Sequence, residues 1–404
     1  MEQIKSIYHF GLAWFGNLWF KKPSKKIFII GVTGTKGKST VTELINAILE
    51  TAGKRAAVSS SVRFKMDGES RPNFTGMSMP GRFFLQKFLA EAVSKGCDYA
   101  VIEVTSQGVL QHRHRFVDFD AALVTNLEPE HIEAHGSFEN YRDSKVKFFR
   151  DVSLYSAKSQ KFFFINSETR DYEFFSAAAA DFGRIVLFNK KDMIKVKIKT
   201  KLIGEFNMEN IAAAVAFARS RNIDWDTIRQ AVEAFDGVPG RLEFVQKTPF
   251  SVVIDYAHTP DSLEKVYQTL KGKGGKGDGK KLICVLGAAG GGRDMWKRPV
   301  MGGIAEKYCD SIILTNEDPF DEDPQEIIDE IESGMINSGK KKVRKIIDRR
   351  EAIRAAIRSA KKGDSVIITG KGSEAYMRVA DGRQISWNEK EITTKILNGE
   401  RIEA

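Results

Sequence analysis

Cysteine is scarce, with three in 404 residues, and Cys97, Cys284 and Cys309 are odd in number and far apart. That pattern suggests neither a disulfide framework nor a thiolate metal cluster, and it points to a reducing cytoplasm. Long apolar runs are lacking too. The aromatic-rich stretch YHFGLAWFGNLWF, residues 8–20, is too short to span a bilayer, and no small-residue cleavage site follows it, so a secretory signal is not expected. Acidic residues are in deficit, 53 against 63 Lys and Arg. Much of the lysine lies in two runs, residues 271–281 and 339–345, which read as solvated loops before they read as binding patches, and no nucleic-acid partner is expected. Internal repeats are absent.

What is present is a phosphate-binding loop. GVTGTKGKST, residues 31–40, follows the apolar run Ile27 to Ile30 and precedes apolar residues at helical spacing: Val41, Leu44, Ile45, Ile48 and Leu49. Gly34 and Gly37 let the backbone curl so that its N–H groups face phosphate oxygens. Thr35 and Thr40 flank the site, Lys38 adds a point charge, and Ser39 offers a hydroxyl to Mg²⁺. One departure is that the usual pattern has glycine where Val32 stands, with Gly31 one residue early.

Buried-strand patterns at Tyr99 to Ile102 and Ala121 to Val124, alternating with helical ones, give an α/β class with a mostly parallel sheet. Turn residues cluster in DGVPGR, residues 236–241. A second alternating series follows, with strands at 251–254, 282–286, 312–314 and 366–369 and helices at 299–307, 325–335 and 349–360. The expected organisation is an aromatic and basic N-terminal segment (1–26), a central P-loop ATPase domain (27–238) and a C-terminal Rossmann-like domain (239–404). The N-terminal segment has two readings. It is a helix packing its aromatics on the body of the protein, which is favoured, or a monotopic anchor with Trp14 and Trp19 at a lipid interface and Lys21, Lys22, Lys25 and Lys26 near headgroups.

Three further constellations bear on chemistry. Glu103 ends a strand in VIEVTSQG, where a carboxylate can hold Mg²⁺ together with Ser39. TNLEPEHIEAHG groups Asn126, Glu130, His131 and His135, and one of the histidines is a candidate ligand for a second metal ion. YRDSKVKFF places Lys145 in a half-buried helix, where a cation is costly unless paired or chemically neutralised.

In this order the motifs resemble the Mur ligases, the ATP-dependent amide-forming enzymes of peptidoglycan stem-peptide synthesis, and within them the branch that adds the third residue. The matching stretches are GVTGTKGKST, VIEVTSQGVLQHR, TNLEPEHIEAHG, YRDSK, GEFNMENIAAA, GRLE, DYAHTPDSLE, GGGRDMWKRPVMG, EDPFDEDP, DRREAI and GKGSEAY. The resemblance implies ATP and Mg²⁺ as cofactors, carbamylation of Lys145, and Glu103 and His131 as ligands of a second magnesium. It implies Asn210 and Asp255 at the adenine and ribose, and Arg241 reaching the phosphates. Lys38, Lys145, His131 and Arg241 are thus the implied catalytic residues. Ser78, Thr105, Gln111 and Arg113 match positions that contact a nucleotide-linked muropeptide. A family threonine pair is here Ser78-Met79, and Met79 cannot donate the expected hydrogen bond. Arg293, Asp318, Phe320, Gly370 and Glu374 match positions that grip the incoming amino acid. Members of this branch that use diaminopimelate carry Asp-Asn-Pro-Arg, whose arginine clamps the distal carboxylate. The chain has Glu317-Asp318-Pro319-Phe320, with an apolar wall beside an acidic residue that would rather meet an amine, so L-lysine or a similar cationic amino acid is expected at least as much as diaminopimelate, unless Lys297 or Arg298 substitutes for the arginine.

Relatives in this branch begin with a separate domain that holds the uridine diphosphate. A phosphate loop entered at residue 31 leaves no room for it, so the aromatic segment replaces part of it, a partner supplies it, or the acceptor differs. The implied protein is a cytoplasmic, ADP-forming ligase of small-molecule substrates, expected to be a monomer. Two rivals stand beside it: a ligase acting on another polymer such as cyanophycin or poly-γ-glutamate, and a nucleotide-regulated binding module without catalysis, with contact to a membrane through residues 8–26 as a further option.

Overall fold

The computed structural model describes residues 2–130, 132–180, 183–272, 280–292, 294–336 and 342–400. The chain forms two compact units, residues 1–236 and 237–404.

The first unit is built on an eight-stranded sheet of order β4-β3-β2-β5-β1-β6-β7-β8. Its strands are β1 (Phe28–Thr33), β2 (Ala56–Ser59), β3 (Arg63–Met66), β4 (Glu69–Pro72), β5 (Tyr99–Glu103), β6 (Ala121–Val124), β7 (Phe162–Asn166) and β8 (Arg184–Phe188). The run from β2 to β8 is parallel, whereas β3 and β4 turn back as antiparallel edge strands. Ten helices accompany it: α1 (Glu2–Trp19), α2 (Lys38–Thr51), α3 (Arg82–Ser94), α4 (Ser106–Leu110), α5 (Ile132–His135), α6 (Phe138–Tyr155), α7 (Tyr172–Ala179), α8 (Lys190–Val196), α9 (Glu205–Ser220) and α10 (Trp225–Ala234).

Alternation along β1 shows how the sheet is covered. Ile29 joins a core with Phe88, Phe119, Phe148 and Phe163, whereas Ile30 and Val32 join one with Val41, Leu44 and Ile211. Successive strand residues face opposite sides, so both faces of the central strands are dry and the strands read as continuous apolar runs. Gly31 belongs to this packing and not to the phosphate site. It lies within β1, and a Cβ there would sit 2.4 Å from the ring of Phe148. The glycine one residue early in the motif is therefore a core contact, and the loop bends only at Gly34, whose φ is +142°.

The second unit holds a six-stranded sheet of order β13-β12-β11-β14-β10-β9. It comprises β9 (Glu243–Gln246), β10 (Ser251–Asp255), β11 (Leu282–Leu286), β12 (Ser311–Leu314), β13 (Lys342–Lys345) and β14 (Ser365–Thr369), parallel except at the β9–β10 edge. Its helices are α11 (Pro260–Lys271), α12 (Lys297–Tyr308), α13 (Pro324–Ser333), α14 (Arg349–Ser359) and α15 (Glu389–Leu397), and β15 (Tyr376–Arg378) pairs with β16 (Gln384–Ser386) in a small ribbon.

Two expectations are corrected here. Cys284 and Cys309 form a disulfide, with Cα atoms 6.1 Å apart. They are 25 residues apart in sequence, but β11 and β12 are parallel neighbours, and the chain returns through α12 to bring Cys309 beside Cys284. The aromatics of α1 pack on the body only in part: Phe10 meets Phe116 and His112 and Phe15 meets Phe83, but the two tryptophans face outward. The helix lies against α3 through Ala13 and Gly16, both buried, while Trp14 is 51% and Trp19 65% exposed. Small residues let the backbones approach, a Cβ at Gly16 already meeting Phe83 at 3.3 Å, and more than half of each tryptophan is left outside.

Candidate active site

The carboxyl ends of β1, β5 and β6 lie side by side, and three segments converge there: the phosphate loop, Glu103 and Thr125-Asn126. This is where an open parallel sheet presents a crevice for ligands. The loop is braced from β6, since Lys36 N–H donates to Asn126 Oδ1 at 2.8 Å and Thr125 Oγ1 donates to Lys36 O at 2.6 Å. Two glycines are required. A Cβ on Gly34 would lie 1.9 Å from Thr125 Oγ1, and one on Gly37, at φ +79°, would lie 2.2 Å from Asn210 Oδ1. Gly37 caps α2, so Lys38, Ser39 and Thr40 are its first residues, with their N–H groups directed out of the helix end.

The loop gathers cations. Lys38 Nζ donates to Gly34 O at 3.0 Å and to Thr35 O at 2.8 Å. Lys145 Nζ, from α6, donates to the same Gly34 O at 2.8 Å and sits 4.6 Å from the centre of the Tyr141 ring. Lys145 is more deeply buried than its helix pattern implied, at 2% exposure, with its amine over the Tyr141 ring and on the loop carbonyl. Burial first, and then the Lys38 charge, push its amine well below the ordinary lysine value, against the opposing pull of Glu130. Tyr141 in turn bonds Thr35 Oγ1 at 3.1 Å, and Lys36 pairs with Glu130 at 2.6 Å.

Glu103 is 1% exposed, and its Oε1 accepts the Ser61 N–H at 3.0 Å. Ser61 Oγ lies 2.9 Å from Ser39 Oγ, so a hydroxyl, a second hydroxyl and a carboxylate form one chain beside the loop. An all-oxygen donor set with one buried carboxylate fits a hard cation such as Mg²⁺. Among the described residues no cluster of three or more His, Cys, Asp or Glu gathers as a metal site. His131 lies outside the described residues. His135 bonds Ser106 Oγ at 3.1 Å.

The acceptor candidates form a second group in the first unit. Gln111 Oε1 accepts from Arg113 at 2.7 Å, Arg113 Nη1 donates to Met79 O, and Arg82 donates to Gln111 O at 2.8 Å. Ser78 is in the same loop, half-buried, whereas Met79 is fully buried with its sulfur against Gly108. Met79 is thus a core residue. Thr105 caps α4 by accepting the Gly108 N–H at 3.0 Å. Asn210 is buried and donates to Asn207 Oδ1.

In the second unit, Asp255 accepts Leu242 N–H and Ala257 N–H, each at 2.7 Å, on its two oxygens. It therefore fixes the backbone beside Arg241, whose guanidinium stacks 4.3 Å from the Tyr256 ring centre. The amino-acid candidates centre on Asp318, which accepts from buried Lys371 at 2.8 Å, from Arg378 N–H at 2.9 Å and from Arg378 Nη1 at 3.2 Å. Lys371 also pairs with Glu374 at 2.6 Å, and Tyr256 OH donates to Glu374 at 3.1 Å. Burial lowers the Lys371 affinity for its proton, but Glu374 and Asp318 outweigh it and hold the ammonium charged. Gly370, at φ +107°, allows Glu317 close approach, a Cβ there lying 2.3 Å from Glu317 Oε2. Burial pushes the Glu317 carboxyl up to about 7, partly offset by Arg349 and Lys371. Phe320 packs its ring on Gly291 and lies 6.0 Å from the Arg378 guanidinium. Arg293 lies outside the described residues. Arg298 is bound to Glu322 and Glu330, and so does not stand in for an arginine at position 320.

Residues 32–218 match the model of the Mur ligase middle domain, and residues 240–372 that of the Mur ligase glutamate ligase domain. Across 403 aligned residues the chain is 37% identical to the UDP-N-acetylmuramoyl-L-alanyl-D-glutamate–2,6-diaminopimelate ligase of Syntrophomonas wolfei, covering 94% of this chain and 80% of that enzyme. The chain belongs to the Mur ligase family. A like-named enzyme of Aquifex aeolicus is also 37% identical, covering 95% of this chain and 80% of its own. Among solved structures, a UDP-N-acetylmuramoyl-L-alanyl-D-glutamate–2,6-diaminopimelate ligase superposes with a TM-score of 0.61 at 28% identity, covering 92% of this chain and 78% of that one. Mycobacterium tuberculosis folylpolyglutamate synthase reaches 0.70 at 18% identity, covering 89% and 92%, a likeness of fold alone. The resemblance read from the motifs is borne out. This Mur ligase is an ADP-forming enzyme that uses ATP and Mg²⁺.

Three residues that carry the geometry escaped the motifs. Lys371 lies inside GKGSEAY, where its burial had no sequence signal. Ser61 stands in a serine run with nothing to single it out. Arg378 is distant in sequence from the segment it meets, and only the β15 ribbon places it on Asp318.

Proposed function

We propose that this Mur ligase adds a diamino acid with a distal carboxylate, of the diaminopimelate class, to a UDP-N-acetylmuramoyl-dipeptide-type acceptor through an acyl phosphate, in peptidoglycan precursor synthesis. The observation that carries the ligation chemistry is the pair of amines on Gly34 O. Lys38 is the cation for phosphate oxygens, and its charge adds to burial in weakening the hold of Lys145 on its proton. A neutral amine can attack carbon dioxide, forming an N–C bond and releasing one proton, which leaves a carbamate anion in place of a buried cation. Mg²⁺ would neutralise phosphate charge, with Ser39 and Glu103 as the residues to hold it beside the loop; the family resemblance gives a second ion to Glu103, His131 and a Lys145 carbamate. The acceptor carboxylate takes the γ-phosphoryl group of ATP and releases ADP. The incoming amine then attacks the acyl carbon, and phosphate leaves with the collapse of the tetrahedral intermediate. The protein's part is positioning and charge neutralisation.

The choice of amino acid follows from Asp318. A lysine side chain would need a carboxylate for its ammonium, yet Asp318 already accepts from Lys371 and Arg378, and Glu374 from Lys371 and Tyr256. Arg378, by contrast, commits only Nη1 to a side chain and keeps Nη2 and Nε for a ligand carboxylate among the described residues. It stands beside Phe320, the position where diaminopimelate users carry arginine. Eight relatives at 32–37% identity are all named diaminopimelate ligases, which supports the same reading. The test is phosphate release from ATP with the muramoyl dipeptide nucleotide and a panel of amino acids. Stimulation by diaminopimelate above lysine is expected, and stimulation by neither would remove the muropeptide reading.

A further inference from the structure

Helix α1 carries its apolar surface on the wrong side for a helix that only packs on the protein. Ile7, Tyr8, Trp14, Phe15, Leu18 and Trp19 are 43–73% exposed and, at 100° per residue, fall on one half of the helix together with Phe10 and the open Gly11. No charged residue interrupts positions 6–20. Phe83 of α3, 39% exposed, extends the patch by stacking on Phe15. A patch of this kind marks an interaction surface. Its occupant is indicated by charge. Residues 3–42 contain no Asp or Glu, and Lys21, Lys22, Lys25 and Lys26 are all exposed directly after the helix. The helix cannot cross a bilayer, since no helix among the described residues is long and apolar enough. Its 18 residues span about 27 Å, enough to lie in the interface plane with two tryptophans at headgroup depth.

We propose that α1 docks this ligase on an anionic phospholipid surface, its aromatic face entering the headgroup boundary and the lysine cluster pairing with lipid phosphates. Phe10 contacts His112, ring centres 5.8 Å apart, and His112 lies between the acceptor candidates Gln111 and Arg113. Docking therefore brings that loop towards the bilayer, a consequence that rests on the acceptor reading, while the docking itself does not.

Flotation of the full chain with vesicles of phosphatidylcholine alone, and of phosphatidylcholine with about a third phosphatidylglycerol, tests the proposal without substrate. Binding is expected only to the anionic vesicles and to fall with salt. Lys21→Gln with Lys22→Gln should weaken it about 25-fold, at about fivefold per lysine. Trp14→Glu with Trp19→Glu should abolish it while ATP binding and the melting temperature hold. Absence of binding by the wild-type chain overturns the proposal, as does equal binding to both vesicle types. A concentration-dependent dimer in sedimentation velocity that Trp14→Glu dissolves would assign the face to a second copy instead.

Discussion

Replacing Arg378 with methionine separates recognition of the incoming amino acid from stability of the second unit. The side chain keeps most of its length but loses the guanidinium beside Phe320. A charge-assisted hydrogen bond to a carboxylate contributes about 1.5–3 kcal/mol, so kcat/KM for diaminopimelate should fall about 10- to 150-fold, with lysine use unchanged or improved. The structural cost is small. Asp318 keeps Lys371 at 2.8 Å and the residue 378 backbone N–H at 2.9 Å, and the lost ion pair is 3.2 Å long and part-exposed. Its loss should cost under about 1 kcal/mol, a shift in Tm of a few degrees. Coupled phosphate release with each amino acid gives the ratio of specificities. Adding Phe320→Arg to the Arg378→Met variant should restore diaminopimelate use, because the guanidinium then returns from the neighbouring backbone. An unchanged ratio in the single variant, or a wild-type enzyme that prefers lysine, would refute the assignment of Arg378.

Lys145→Ala should abolish ligation, with partial recovery in short carboxylic acids but none in excess bicarbonate; full activity in the variant removes the carbamate role. Glu317 binds a proton in the folded state that the unfolded chain releases between 4.5 and about 7. Stability should therefore fall as pH rises through that window, by on the order of 3 kcal/mol, and Glu317→Gln should flatten the difference in urea midpoint between about pH 5 and about pH 8. Gly37→Ala should raise the KM for ATP at least about tenfold, because the new Cβ displaces Asn210. Gly31→Ala, which overpacks Phe148, should instead destabilise the fold by about 1–3 kcal/mol with the KM for ATP near wild type; equal kinetic effects of the two would mean Gly31 serves the nucleotide after all.

The parallel sheets were legible because their central strands are buried on both faces, so that runs such as Ala121 to Val124 carry no polar interruption. The phosphate loop was legible because backbone geometry there demands glycine at Gly34 and Gly37. What could not be read were meetings between segments distant in sequence. Cys284 and Cys309 meet only because β11 and β12 are neighbours, and Arg378 meets Asp318 only because a short ribbon returns across the strand ends. The outward face of α1 was hidden for a different reason: an apolar stripe shows that a helix is amphipathic, but not which stripe the protein covers. There, buried Ala13 and Gly16 decided the orientation against the larger aromatics.

Gly34 O, which receives both Lys38 and Lys145, makes the two amines sense one another. The Lys38 charge weakens the hold of Lys145 on a proton, whereas a carbamate on Lys145 would be attracted by the same charge. Carbon dioxide uptake and phosphate binding would then share one interaction free energy, and by reciprocity each would alter the affinity for the other to the same extent. On the carbamate reading, dissolved carbon dioxide would be an input to nucleotide affinity, and nucleotide an input to how firmly the carbamate is retained.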